Sequence, residues 1–240
     1  MRIARRLVTV LVRSWNVFHG NTSPPGRRSW LEAMVRLATA DRPDVLCFQE
    51  VPLWALRRLG AWSGMTVRYV VTRRSPLPRE LAGAITRLHN GLFRSALAGQ
   101  ANAILLAPGL EPLEHRSMRI DDRRIEPRFC QAVRLPDLVV GNLHATNQFQ
   151  QPEIPAAEIV RAEAFVTEVA EGLPCVLAGD FNVRAEYLRE LAGWSALGPG
   201  IDHVLVRGLQ VTPLTAWPLE RRVIDGAVLS DHAPVEVTVG

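Results

Sequence analysis

Ala178-Gly-Asp-Phe-Asn-Val183, read together with Ser230-Asp-His-Ala-Pro234, is the part of the chain that decides its fold. Each piece abuts an apolar run short enough for a strand: Cys175 to Ala178 leads into Asp180, and Val235 to Val239 follows Pro234. Acids, amides and imidazoles are thereby set at strand ends. A sheet protein builds its polar site there, because strand interiors are committed to the core. Three further pieces have the same form: Ser14-Trp15-Asn16 after Leu7 to Val12, Phe48-Gln49-Glu50 after Asp44-Val45-Leu46, and Asn142-Leu143-His144 after Leu138-Val139-Val140. A sixth, Ile201-Asp202-His203-Val204, opens another strand. Six polar groups at strand ends imply one shared pocket.

Taken in order, the pieces WN, QE, NLH, GDFN, IDH and SDH resemble the endonuclease/exonuclease/phosphatase superfamily. That group contains pancreatic-type DNases, apurinic endonucleases, neutral sphingomyelinases and inositol polyphosphate 5-phosphatases. The resemblance runs from Leu7 to Val239, and six motifs in register are specific where one would not be. It implies an α/β (α+β) fold, a four-layer α/β/β/α sandwich of two packed mixed sheets flanked by helices. It also implies hydrolysis of a phosphoric ester. It does not choose the substrate, since one fold serves many.

Composition sets independent bounds. At 240 residues, 48% hydrophobic and 22% charged, the chain is long enough to bury a sizeable core. The motifs run from Asn16 to His232, so residues 1–240 are expected to form a single domain, because no split would leave the site whole. Net charge is +4, and all 28 basic residues are Arg. Absence of Lys reflects either a biased genome or selection for guanidinium forks. The basic excess suits a polyanionic partner without requiring one. Cys47, Cys130 and Cys175 each lie in an apolar run rather than at metal spacing, which reads as buried free thiols in a reducing compartment. Met1-Arg-Ile-Ala-Arg-Arg6 has the charge of a leader, but Leu7 to Val12 is too short for a secretory or membrane-spanning segment. A cytoplasmic monomer is the expectation.

Helix and strand signals are mixed without strict alternation. Trp30, Ala33, Met34, Leu37 and Ala38 share one face of a helix from Ser29 to Ala40, with Pro43 beyond it. Ile159, Ala162, Val166 and Val169 mark a second helix closed by Gly172 and Pro174. Strands are expected at Ala103 to Leu106, Phe129 to Leu135 and Leu138 to His144. Residues Arg73 to Gly99 carry Arg73, Arg74, Arg79, Arg87 and Arg94 against the single acid Glu80, with Leu81, Ala84, Ile85 and Leu88 at helical spacing. This stretch is either a substrate-gripping arm or an amphipathic helix docked by its Leu/Ile face with Arg outside.

Hydrolysing a phosphodiester means offsetting charge on phosphoryl oxygens, aiming a water in line and easing the leaving alkoxide. Mg²⁺ or Mn²⁺ answers the first need, and Mg²⁺ takes few protein ligands. By the family resemblance Glu50 is the main metal ligand, with Asn16 and Asp231 beside it. The resemblance makes Asp180 the group that orients and deprotonates the attacking water, with Asn182 steering the same water. Spacing i, i+2 in an extended segment would put those two side chains on one side. An ordinary carboxylate, with a pKa of about 4, is a poor base, so positioning must carry much of the rate. His232, held by Asp202, is expected to stabilise phosphate or transfer a proton. In an extended strand Asp231 would face the other way, toward the metal. His144 is assigned to the leaving-group side, although no carboxylate partner for it can be read from the sequence. His203 should face away in a structural role. Arg128 matches a family arginine that contacts phosphate, or pairs with Glu126 or Asp121. Asn102 matches a family strand start, and His19, in an N-x-x-H-G turn, either lines the pocket or caps the loop.

The expected function is a divalent-metal-dependent phosphodiesterase, with nucleic acid as the leading substrate on the strength of the Arg-rich segment. The alternative is a sphingomyelinase-like phospholipid or an inositol-phosphate substrate, with Leu92, Phe93 and Trp62 facing the membrane or headgroup.

Overall fold

The structure of the chain, a computed structural model, describes residues 9–90, 97–122, 126–188, 191 and 193–240. In chain order the regular elements are β1 (Val10–Asn16), α1 (Leu31–Thr39), β2 (Val45–Pro52), α2 (Leu56–Ser63), β3 (Thr66–Arg73), α3 (Arg79–Leu88), β4 (Gln100–Leu106), β5 (Glu114–Arg119), β6 (Phe129–Arg134) and β7 (Val139–His144). There follow α4 (Glu153–Ala170), β8 (Cys175–Asp180), β9 (Ser195–Leu197), β10 (Asp202–Arg207), β11 (Thr215–Ala216), the small β12–β13 hairpin (Val223–Ile224 and Ala227–Val228), and β14 (Val235–Val239). The strands form two six-stranded sheets, ordered β11-β14-β1-β2-β4-β3 and β5-β6-β7-β8-β10-β9. Both are mixed: β1 runs parallel to β2 and β7 parallel to β8, while the other pairs within these sheets are antiparallel.

Three apolar layers hold this together, and each follows from the alternation of its strands. Leu46 and Phe48 of β2 face Leu31, Met34, Val35 and Ala38 of α1 and Leu56 and Leu59 of α2. On the far side Val139, Leu143 and Leu177 face Ile159, Ala162, Phe165, Val166 and Val169 of α4. Between the sheets lie the residues of opposite parity, among them Val12, Val45, Cys47, Ile104, Val140, Val176, Ala178, Val204 and Val237. The result is the α/β/β/α sandwich. Cys47, Cys130 and Cys175 are buried free thiols, and burial raises all three.

The layer between the sheets is not uniform along its length. In β1 the inward series runs Val12, Ser14, Asn16; in β2, Val45, Cys47, Gln49; in β7, Val140, Asn142, His144; in β8, Val176, Ala178, Asp180. These four parallel-paired strands all turn polar at their C-terminal ends. β4 and β10 run the other way and contribute their first turns of chain, Asn102 and Asp202. These six strands therefore deliver polar residues to one end of the sandwich.

The Arg-rich segment departs from expectation. It does hold a helix, α3, but among its described residues Ala82 and its neighbour Gly83 are buried while Leu81 and Leu88 are 48% and 78% exposed. The helix therefore turns its small Ala82 and Gly83 inward and Leu81 and Leu88 outward. The segment is pinched at its base, where Gly99 has φ 61 and a Cβ would meet Arg73 O and Ser75 N at 2.7 Å. Its helical end returns to the His19 turn: Asn90 Nδ2 donates to Asn21 Oδ1 (3.0 Å) and His19 O (3.3 Å). Leu92, Phe93 and Arg94, like Met1 to Val8, lie outside the described residues. No helix among the described residues is long and apolar enough to cross a membrane.

Candidate active site

Several of the backbone turns that deliver these side chains are strained. Glu50 has φ 57, His19 φ 54, Asn182 φ 52 and Ser230 φ 60, all in the left-handed region that L side chains avoid at a cost of about 1–2 kcal/mol each. Gly179, beside Asp180, has φ 152, and a Cβ there would stand 2.0 Å from Leu143 O. Only glycine lets β7 and β8 close so near the site.

Around Asn16 the acids and imidazoles converge. Asn16 Nδ2 donates to Asp180 Oδ2 (3.0 Å) and Glu50 Oε1 (3.3 Å), while its Oδ1 accepts Phe18 N (3.0 Å). The Phe18 bond fixes the amide, so the nitrogen and not the oxygen faces the carboxylates. In this orientation Asn16 bridges the two acids through its nitrogen. His19 Nε2 lies 3.0 Å from Glu50 Oε2, so it lines the pocket. His144 Nε2 is 3.5 Å from Asp180 Oδ2 and 3.9 Å from Glu50 Oε1, which supplies the carboxylates that the sequence left unassigned. His232 Nδ1 meets Asp202 Oδ2 at 2.8 Å and its Nε2 lies 3.6 Å from Asp180 Oδ2.

Two sequence expectations about orientation do not hold. Asn182 is not extended, because the chain turns at φ 52; its N–H donates to Asp180 Oδ1 (3.0 Å) and its Nδ2 to Ala145 O (2.9 Å). It locks the turn and the Asp180 rotamer. Asp231 also sits in a bend rather than a strand, exposed, with Ser230 Oγ at 3.4 Å. No hydrogen bond or ion pair joins it to Glu50 or Asn16 among the described residues.

The supporting residues separate clearly. Arg128 is 6% exposed, its Nη2 only at 3.9 Å from Glu126 Oε2 and its buried Nε without a hydrogen-bond partner. Asp121 pairs instead with Arg119 at 2.9 Å. Asn102 donates to Phe129 O at 3.4 Å, and among the described residues no hydrogen bond joins it to Glu50 or Asp180. His203 is buried with Nε2 against Val183 O (2.8 Å), a structural place. Trp62 packs edge-on against Trp54 rather than standing free.

Several holding residues were given no role from the sequence. Trp15 Nε1 donates to His232 O (3.0 Å), Ser230 Oγ to Asn16 O (2.7 Å), and Arg222 Nη1 to Ser230 O (2.8 Å) and Leu229 O (3.1 Å). Trp15 and Ser230 lie inside the WN and SDH motifs, whereas Arg222 lies outside all six.

Burial and close charges sort the protonation states. For Asp180, burial and then Asp202 push the carboxyl up to about 7 against the pull of His232 and Asn16. It is not the ordinary carboxylate that sequence reasoning assumed. Burial works against the charge of His232, but the Asp202 hydrogen bond and the charges of Asp180, Asp202 and Asp231 raise it to about 10. His144 falls well below its usual value through burial and the Arg128 charge. Burial presses Glu50 upward, yet His19, His144 and Asn16 together hold it well below the usual carboxylate range. At neutral pH the site thus holds an ionised Glu50, an Asp180 far more readily protonated than an ordinary carboxylate, a neutral His144 and a cationic His232.

The chain belongs to the endonuclease/exonuclease/phosphatase family, whose sequence profile matches residues 14–232. Members of this family are metal-dependent phosphoric ester hydrolases. Among solved structures it resembles truncated TDP2 of Caenorhabditis elegans (15% identity, TM-score 0.71, 96% of this chain and 97% of that one). It also resembles a mannosyl-6-phosphatase of Bacteroides thetaiotaomicron (15%, 0.68, 96% and 99%) and the human nocturnin catalytic domain with bound sulfate (14%, 0.68, 97% and 94%). At such identities the likeness shows the fold. No curated protein sequence matches the chain significantly.

Proposed function

We propose that the protein is a divalent-metal-dependent phosphodiesterase whose substrate is nucleic acid. The observation that carries the chemistry is the placement of Asp180 Oδ2 3.6 Å from His232 Nε2, with burial and the Asp202 charge raising the Asp180 carboxyl to about 7. A base is most effective when its pKa lies near the working pH, and a fixed cation beside it suits an anionic ester. Asp180 takes the proton of the attacking water, its rotamer held by Asn16 Nδ2 and Asn182 N. His232, kept cationic by Asp202, stabilises the phosphoryl oxygens. Arg128, buried with an open Nε, is a second cation for the same oxygens. His144 is neutral, so it serves the leaving oxygen as a hydrogen-bond donor more readily than as a full acid.

The donor set fits Mg²⁺ or Mn²⁺, being rich in carboxylate oxygens. Glu50 would hold the ion; the ligand atoms of Asp180, Asp202 and His232 also lie within 4.8 Å of one another, but that group could hold an ion only with His232 neutral, which would give up its role as a cation. Such an ion would supply electrophilic assistance to the phosphoryl group.

Nucleic acid is favoured by the net charge of +4 and by the Arg-rich segment, whose Asn90 end packs on the His19 turn. The solvent-facing Leu81 and Leu88 favour a second reading, a phosphate ester carried on an apolar body such as a sphingomyelin-like lipid. Parallel assays on duplex DNA, abasic DNA, RNA, sphingomyelin and inositol phosphates decide between them. EDTA is expected to abolish hydrolysis and Mg²⁺ or Mn²⁺ to restore it; full activity in metal-free buffer refutes the proposal. On nucleic acid, Arg74→Ala with Arg87→Ala should flatten the log-log salt slope of binding by roughly one unit per lost phosphate contact. An unaltered slope with robust lipid turnover would support the second reading.

A further inference from the structure

Two consecutive residues of β2, Gln49 and Glu50, both turn toward the facing sheet. Gln49 Nε2 donates to Asn142 Oδ1 of β7 at 2.8 Å, and Glu50 Oε1 lies 3.9 Å from His144 of the same strand. In a regular strand neighbours point to opposite faces, so both cannot do this. The backbone explains it. Pairing of β2 with β4 is regular through Phe48 opposite Ala103 and resumes with Val51 opposite Ala101, and Glu50 in between holds φ 57. The extra residue of this bulge turns Glu50 inward.

A side chain from the other sheet grips the chain at the point where the bulge begins. Asn142 Nδ2 donates to Phe48 O (3.1 Å) and Ala103 O (3.0 Å), both carbonyls of the last regular pair. Its Oδ1 accepts from Gln49 Nε2, which also reaches Ser14 Oγ at 3.1 Å. Gln49 and Asn142 are 0% exposed. A flipped Asn142 would set its oxygen against two carbonyl oxygens, so its orientation is fixed by the bonds it makes. Shifting the bulge by one residue would separate the last pair from this amide and turn Gln49 out of the layer, stranding buried donors. We infer that Asn142 is a positioning residue, whose amide pins the last regular β2–β4 pair from the opposite sheet and so sets where Glu50 stands. Its bearing on catalysis rests on the reading of Glu50 as a cation ligand.

The test compares the full chain with Asn142→Ala, which removes both donors, and Gln49→Met, which keeps them and removes only their prop. In the metal-free proteins, hydrogen–deuterium exchange over residues 48–52 is expected to quicken at least about tenfold in Asn142→Ala and less in Gln49→Met. Mn²⁺ affinity by titration calorimetry is expected to fall about tenfold in Asn142→Ala, the effect of losing an outer partner of a metal ligand. At saturating Mn²⁺, kcat should drop while KM holds. A merely structural role would quicken exchange throughout both sheets and leave the Mn²⁺ affinity of the folded molecules as in wild type. That result, or unchanged exchange over residues 48–52, overturns the inference. If Asn142→Ala does not fold, Gln49→Met is judged on the same two readouts. A wild type that binds no Mn²⁺ refutes the role of Glu50 as a ligand, and exchange alone then decides whether Asn142 sets the bulge.

Discussion

The two ends of the layer between the sheets are built from the same strands and behave as different materials. Toward one end Val12, Val45, Ile104, Val140, Val176 and Val204 fill the layer, and beyond them lies a cavity of about 720 Å³ walled by residues such as Leu110, Leu135, Leu138 and Leu209. At the other end those strands finish in Asn16, Glu50, His144 and Asp180, with left-handed backbone at His19, Glu50, Asn182 and Ser230. Burying apolar area stabilises at roughly 25 cal/mol per Å², whereas burying acids and bending backbone costs free energy. The valine end therefore holds the sheets in register, and the ionisable end spends part of that stability on reactivity. Charges that would be weak at a surface become decisive here, because burial has moved Asp180 up to about 7.

The contrast is broken most directly at the ionisable end. Asp180→Asn and His232→Ala are each expected to lower kcat at least about a hundredfold. Asp180→Asn, which removes a carboxyl raised by burial, should melt no lower than wild type, whereas His232→Ala, which strips Asp202 of its partner, should melt lower. Steady-state kinetics beside thermal melts checks both halves. Losses under about tenfold in both variants would mean the catalytic roles lie elsewhere.

A second intervention leaves the reacting groups in place and changes only their protonation. Asp202 is the leading partner that raises His232, so Asp202→Asn should bring the imidazole down from about 10, with His144 staying neutral. Histidine NMR titration of the metal-free protein reads this without activity. The sign for stability follows: His232 is raised above its unfolded value of about 6.5, so its stabilisation is complete below that pH and disappears as pH rises through about 10. The variant should lack this decline. If His232 titrates near 6.5 in wild type, the Asp202 pair is not formed in solution.

Much of this contrast could be read in the sequence, because period-2 alternation ending in an acid or amide is a local signal. The α1 and α4 stripes and all six strand-end motifs were visible for that reason. What stayed hidden was non-local. Gln49 and Asn142 are neutral amides that look like ordinary breaks in alternation, and their bond crosses between sheets. Asn182 and Asp231 were misjudged in orientation, since φ 52 at Asn182 and φ 60 at Ser230 end the extended geometry on which the parity argument stood. The α3 stripe was legible, but the side it buries carries the small Ala82 and Gly83 rather than Leu81 and Leu88. The pKa of Asp180 follows from burial by neighbours far apart in the chain.

The smallest expected effect lies at the valine end, and it sharpens the comparison because it should leave chemistry untouched. Ile104 is 0% exposed in β4 and belongs to the layer between the sheets, two residues from Asn102. Ile104→Val removes one methylene, so the loss is its transfer free energy plus that of a small cavity, about 1 kcal/mol. A shift of that size is resolved by urea denaturation as a lower midpoint with unchanged slope. Because Val keeps the branched shape at Cβ, the strand should hold its register and Glu50 its place. Hence kcat and Mn²⁺ affinity per folded molecule are expected to match wild type. A loss of kcat beyond about threefold, at unchanged Mn²⁺ affinity, would show that packing at the valine end is transmitted to Asp180, and the two ends would then have to be treated as one cooperative unit.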